Sequence, residues 1–245
     1  MFKHIIITRF NVKISDTFSK DHNGRPTLTT EWTNCRFDLF EKYCLPSVVA
    51  QTEKNFIWVV FFDSSTPDHY KLAIKRFQKK CPQFKPIFLD KWGNSKLTMK
   101  QLVSLVIDEE TEYLITTRLD NDDALHKDFV KEVQRFYHSV HYANVVLNFI
   151  DGCLMNTRTS EIKQVKYASN HFISWLENAK EDFTTVIGPN HAKISELAPV
   201  IDLSLNNKPM WIEIIHENNV LNNFERHQPE PISDLFTITD FCIQP

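Results

Sequence analysis

With 245 residues, the chain has room for one large α/β domain or two small ones, and for a substantial core. Its net charge of -3, with acids and bases interleaved, offers no basic block for nucleic acid or anionic lipid. Its four glycines, Gly24, Gly93, Gly152 and Gly188, stand far apart, which excludes a dinucleotide-binding glycine fingerprint and a P-loop.

The five cysteines (Cys35, Cys44, Cys81, Cys153, Cys242) are scattered and form no C-x-x-C, as expected of reduced and mostly buried thiols. The longest apolar run, Phe56 to Phe62, is too short to span a membrane. The N-terminus has no signal-peptide apolar core or cleavage site. A cytoplasmic protein without a transmembrane segment is therefore expected, with docking to a membrane periphery or a partner left open.

Lys3 to Phe10, with Ile5-Ile6-Ile7, reads as a first buried strand. It ends in Thr8-Arg9, a cation that could meet a phosphate or pair with a surface acid. Asn11 to Asn34 reads as a long loop of the kind that is usually functional or disordered, with Trp32 as core anchor or sugar platform. A helix over Arg36 to Val49 is expected to be kinked or interrupted by Pro46. Asn55 to Asp63 is a second strand. Asp63 at its end could accept hydrogen bonds from a base or ribose, or cap the next helix. That helix is expected to start at Thr66 as N-cap and stop at Pro82, with Tyr70, Ala73, Ile74 and Phe77 inward. Phe84 to Asp90 is a third strand, Trp92 to Ser95 a loop, and Leu102, Leu105 and Val106 mark a further helix.

Tyr113 to Thr117 is a β-branched run that stops in three carboxylates: Asp120, Asp122 and Asp123. In an extended segment residues i and i+2 share a side, so Asp120 and Asp122 are expected to face one point beyond the strand's carboxyl end. In open α/β sheets ligands bind there. Such oxygen ligands suit Mg²⁺ or Mn²⁺ carrying a substrate phosphate. The plain alternative is an acidic turn.

Lys127 to Tyr137 is a clean amphipathic helix whose first amides are expected to face the acids. Asn144 to Ile150 is a fifth strand, closing at Asp151-Gly152. The alternating order predicts a mainly parallel sheet with helices on both faces. After Gly152 the sequence suggests a hairpin around Asn156-Thr157-Arg158, a short helix over Phe172 to Asn178, a strand over Phe183 to Ile187, and a chemistry-dense stretch from Pro209 to Asn219. The tail after Glu225 is expected to be peripheral or partner-bound.

Four segments carry a resemblance to a family: Thr116 to Ala124, Asn148 to Gly152, Ser169 to Glu177, and Pro209 to Asn219. In order, they resemble the putative rhamnosyl transferase family, over most of the chain from Lys3 to about Asn223. The Arg118-Leu119-Asp120-Asn121-Asp122-Asp123 run resembles the Asp-x-Asp motif of GT-A glycosyltransferases. The resemblance implies a GT-A-like α/β fold: a mainly parallel central sheet flanked by helices, with a smaller C-terminal acceptor-side region. Residues 1–225 would form one domain, with 1–125 as the nucleotide-sugar half and 126–225 as the acceptor half, followed by a 226–245 tail.

It further implies a metal-dependent transferase that moves a sugar, rhamnose included, from a nucleoside-diphosphate sugar to a glycan or other hydroxyl acceptor. Asp122 and His216 would hold Mn²⁺ or Mg²⁺. Thr8, Arg9, Asp63, Arg118 and Asp120 would line the nucleotide-sugar pocket. Asp151 and then Glu213 are the candidate bases, and Asp151→Asn is expected to abolish turnover. Two rival readings remain: a non-catalytic nucleotide- or glycan-binding module, and an Asp-dependent phosphatase. The phosphatase motif fits less well, since Ala124 stands where it carries Thr or Val.

Overall fold

A computed structural model describes residues 1–12, 20–21, 23–90, 101–104, 106–140, 144–168, 170–187, 191–217, 219, 224–226, 228–234 and 236–243. The expected loop at Trp92 to Ser95 lies outside them.

The apolar runs form the expected parallel strands: β1 (Phe2–Arg9), β2 (Ile57–Asp63), β3 (Phe84–Leu89) and β4 (Tyr113–Arg118). Next in the chain come β5 (Ala124–Leu125), β6 (Val145–Phe149), β7 (Asp151–Asn156), β8 (Ile162–Lys166), β9 (Ile173–Asn178), β10 (Val200–Leu203) and β11 (Trp211–Ile215). The seven-stranded sheet has the order β10-β6-β9-β4-β1-β2-β3, and only β9 runs against its neighbours. A second sheet, β5-β11-β7-β8, packs beside it.

Helices α1 (Thr30–Leu39), α2 (Leu45–Val49), α3 (Asp68–Lys80) and α4 (Phe129–Ser139) supply the flanking layers. The many phenylalanines find their use between α1–α3 and the sheet. There Phe10, Phe37, Phe40, Phe62, Phe77 and Phe84 surround Trp58, with Phe40 stacked on Trp58 at 5.3 Å. Ile5, Ile7, Val59, Phe61, Leu114 and Trp175 build the opposite face.

The structure corrects several expectations. The residues from Phe172 to Asn178 contribute strand β9, not a helix, because both of its edges are hydrogen-bonded, to β4 and β6. Phe183 to Ile187 is irregular, not a strand: the buried Glu177 carboxylate accepts the Thr184 and Thr185 amides at 2.5 and 2.9 Å. Next to Pro46 the helix is interrupted, as one of the two expectations had it. Residues Phe40–Cys44 widen into a π turn, with Leu45 N–H reaching Phe40 O, and Pro46 opens α2. Thr66 does not cap α3; its hydroxyl donates back to Asp63 O at 2.6 Å. The first amides of α4 do not face the acids, since Val130 N–H donates to Gln51 Oε1 at 2.9 Å.

The two sheets meet at Trp211. Its ring stacks on Phe172 at 4.8 Å, and its Nε1 donates to Phe149 O at 2.7 Å. Gly152 leaves room for that ring: a Cβ there would lie 2.2 Å from Trp211. Gly152→Ala is expected to cost about 3 kcal/mol by forcing the buried ring out of place, measured as a lowered urea midpoint. Part of the tail is not peripheral: Phe241 and Ile243 are buried against Ala124, Ile212 and Ile214 on the outer face of the second sheet.

His4 sits in the core of β1. Its Nε2 lies 2.8 Å from Thr117 Oγ1, which in turn is 2.7 Å from Ser174 Oγ. Burial pushes its pKa down to about 3 from 6.5. Between those values the unfolded chain binds a proton that the native chain refuses, so stability falls as pH drops from 6.5 toward 3. His4→Gln is expected to remove up to about 1.4 kcal/mol per pH unit from that slope, read from urea midpoints between pH 4 and 7.

Candidate active site

β4 ends at Arg118, and Leu119 N–H closes onto Ile7 O at 3.1 Å. From there the chain turns: Asp123 N–H approaches Asp120 O at 3.4 Å. A turn brings i and i+3 together, where an extended segment would pair i with i+2. Hence Asp120 converges with Asp123, not with Asp122 as the extended reading expected. His171, just before β9, completes the group. Its Nε2 is 2.8 Å from Asp123 Oδ2 and 4.0 Å from Asp120 Oδ2. One ligand atom from each of Asp120, Asp123 and His171 lies within 4.8 Å of the others.

Asp122 is held separately. It meets His216 Nε2 at 2.9 Å and the Arg36 guanidinium from α1. Asn121 pins the turn to the end of β1: its amide donates to Arg9 O and Phe10 O, and its Oδ1 accepts from Arg36 at 3.1 Å. Trp32 covers the Arg36 guanidinium at 4.9 Å. It belongs to α1, because that helix starts at Thr30, earlier than expected, with Thr29 Oγ1 accepting Trp32 N–H at 3.2 Å. The loop before it is fastened near the site. Asn23 and Arg25 donate to Glu217 O, at 3.1 and 2.5 Å.

The charges interlock. Arg118 donates through Nε and Nη2 to the two oxygens of Asp120, at 3.1 and 3.0 Å. Burial opposes ionisation of Asp120, but Arg118, His171 and Arg9 outweigh it and hold the carboxyl below its usual range. Burial likewise opposes Asp122, and Arg36 and His216 hold it low. Asp123 goes the other way: burial, then the charges of Asp122 and Asp120, push it well above the usual range. Burial pulls His171 down, partly offset by Asp120 and Glu213. Burial and the neighbouring Arg118 bring Arg9 down to about 10, against the pull of Asp120.

The residues therefore suit a divalent cation. A carboxyl raised by two like charges is where a cation relieves most repulsion.

Of the residues singled out from sequence, Arg9, Arg118, Asp120, Asp122, His216 and Glu213 gather here. Glu213 is on the same face of β11 as Trp211 and Ile215, toward the main sheet, and its charge acts on His171.

Three do not gather. Thr8 is fully buried, and its hydroxyl accepts Trp58 Nε1–H at 2.9 Å, so it does not line a pocket. Asp63 stays on the same sheet edge but serves its own turn, accepting Ser65 N–H at 2.8 Å. Asp151 does not close β6; it opens β7. Asp123 accepts Ile214 N–H, and Ile214 pairs with Met155. Asp151 is four residues further back along β7, about 13 Å away, and shares the opposite face with Cys153 and Met155. Sequence reasoning missed Arg36, Asn121, Asp123 and His171 as participants. His171 carried a signal as part of the Ser169 to Glu177 segment, and Asn121 and Asp123 as part of the Thr116 to Ala124 segment, but none was assigned a role; Arg36 carried none.

A ligand site at the carboxyl edge of a mainly parallel sheet is the class of centre this geometry defines. The sequence assigns the family: residues 3–227 match the one described as "putative rhamnosyl transferase", and the chain belongs to it. No curated protein matches the sequence. Solved structures with a similar course include S. aureus TarS 1-349 in complex with UDP, at 14% identity and TM-score 0.49, covering 88% of this chain and 61% of that one. Another is a putative nucleotide-diphospho-sugar transferase from Desulfovibrio desulfuricans G20, at 11% identity and TM-score 0.38, covering 83% and 80%. The chain spans about three fifths of the TarS fragment. Among the described residues no helix is long and apolar enough to cross a membrane.

Proposed function

We propose that this chain is a metal-dependent glycosyltransferase that moves a sugar, with rhamnose one candidate, from a nucleoside-diphosphate sugar to a hydroxyl of a glycan or similar acceptor. The observation that carries this is the convergence of Asp120, Asp123 and His171 beside Arg9 and Arg118 at the carboxyl edge of β1 and β4.

Asp120, Asp123 and His171 would hold Mn²⁺ or Mg²⁺, which neutralises charge on the departing diphosphate. Asp122, His216 and Arg36 brace the turn from the other side. Arg9 and Arg118 face the diphosphate, and Asp63 lies along the same edge toward the nucleoside. Glu213 takes the proton of the acceptor hydroxyl in an inverting displacement. Residues 1–125 form the donor half and 126–225 the acceptor half, acting in the cytoplasm.

A thermal-shift screen with UDP, GDP, dTDP and CMP, each with and without Mn²⁺, tests the reading. A ligand at a hundred times its dissociation constant stabilises by about 2.7 kcal/mol. A metal-dependent shift with one nucleotide, followed by turnover of its sugar conjugate, supports the transferase. Binding without turnover points to a binding module, and no shift with any nucleotide sinks the proposal.

A further inference from the structure

We propose that Arg118 is a built-in counter-ion: it occupies the cation site's carboxylate until a diphosphate draws it away. The inference rests on the transferase reading and adds a role that the reading does not require.

Both oxygens of Asp120 are engaged by one guanidinium, at 3.1 and 3.0 Å. The oxygen held by Nη2, Oδ2, is also the one 4.0 Å from His171 Nε2. The atom that faces the rest of the ligand group is thus the atom that Arg118 holds. A divalent cation on that oxygen would sit beside a like-charged guanidinium, and the two repel where water screens them only in part: the Arg118 side chain is 14% exposed and that of Asp120 34%.

Arg118 has somewhere to go. The charges of Arg118 and Asp120 both act on Arg9, so a second guanidinium stands at this edge. Register explains the crowding: Ile7 pairs with Arg118, and Arg9 is two residues further on the same edge. An anion arriving there relieves the repulsion between the two arginines, and a planar guanidinium pairs with phosphate oxygens in a forked geometry.

Taking Arg118 off Asp120 frees that carboxylate for the cation. Diphosphate and cation then favour each other's binding, and the coupling is reciprocal. Arg118 positions the site in one state and touches the substrate in the other.

The test measures two affinities in the full chain by isothermal titration. The probes are Mn²⁺ alone, and then UDP, GDP or dTDP at saturating Mn²⁺. In Arg118→Gln, Mn²⁺ alone is expected to bind about fivefold tighter than in the natural protein. The nucleoside diphosphate is expected to bind about tenfold weaker. A residue that merely supports the fold would weaken both, and that result, or unchanged Mn²⁺ affinity, overturns the proposal. Should Arg118→Gln not fold, Arg118→Lys keeps the charge but loses the fork. It is expected to shift both affinities in the same two directions by smaller factors, and a shift in any other pattern overturns the proposal. Natural protein that binds neither Mn²⁺ nor any of the three nucleotides would fail the transferase reading itself, taking this inference with it. Binding of both, with the wrong response to the substitution, fails the inference alone.

Discussion

Glu213→Gln is expected to lower kcat by about 10²- to 10⁴-fold, the usual contribution of a positioned general base, while the donor's KM stays within about threefold. Gln keeps the shape of the side chain and loses only the ability to take a proton. Asp151→Asn is expected to leave turnover within about threefold of the natural protein. The contrast follows from strand register. Glu213 is on β11, on the face turned to the main sheet, where its charge acts on His171. Asp151 stands at the far end of β7 on the other face, with burial raising its carboxyl. Single-turnover rates for both variants, beside nucleotide titrations, decide between them. A dead Asp151→Asn enzyme with intact nucleotide binding would return the base to Asp151.

The order of the main sheet's strands through β6 was legible because buried parallel strands are written as contiguous apolar runs, such as Ile5-Ile6-Ile7 and Phe56 to Phe62, whereas the two-residue β5 was not. Nor was β9. Phe172, Trp175 and Leu176 fall at helical spacing, and a strand buried on both faces lacks the alternation that would distinguish it. Only its two neighbours, β4 and β6, decide the matter.

The site divides along the same line. Three carboxylates at a strand end were visible, but which two converge depends on whether the chain turns. That is set by Asn121 reaching back to Arg9 O and Phe10 O. Arg36 looked like any helix arginine, since its partner Asp122 is distant in sequence. Asp151 was misplaced because Asp-Gly reads as a turn, whereas Gly152 is there to clear the Trp211 ring.

Asp123→Asn is expected to weaken Mn²⁺ binding more than a hundredfold, beyond the 10- to 100-fold typical of residues that only support a ligand, and at the same time to stabilise the metal-free protein. The two effects share a cause. Burial and the charges of Asp122 and Asp120 raise the Asp123 carboxyl well above its ordinary range. A group raised in the native state contributes its stability fully below its unfolded pKa, near 3.9, and loses it as pH climbs toward the native value. At neutral pH the metal-free fold therefore carries a cost that Asn removes. Asn also keeps an oxygen for Ile214 N–H, which bonds Asp123 at 2.8 Å.

Asp122→Asn should do the reverse to stability. Asp122 is held low by Arg36 and His216, and removing its charge leaves the buried Arg36 guanidinium poorly compensated. The expected cost is about 3 kcal/mol, with Mn²⁺ affinity reduced only about 10- to 100-fold through loss of the brace. Urea midpoints at pH 7 without metal, paired with Mn²⁺ titrations, read both quantities. If Asp122→Asn loses the metal more completely than Asp123→Asn, the ligand set is Asp122 with His216, and the carboxylates adjacent in sequence exchange roles.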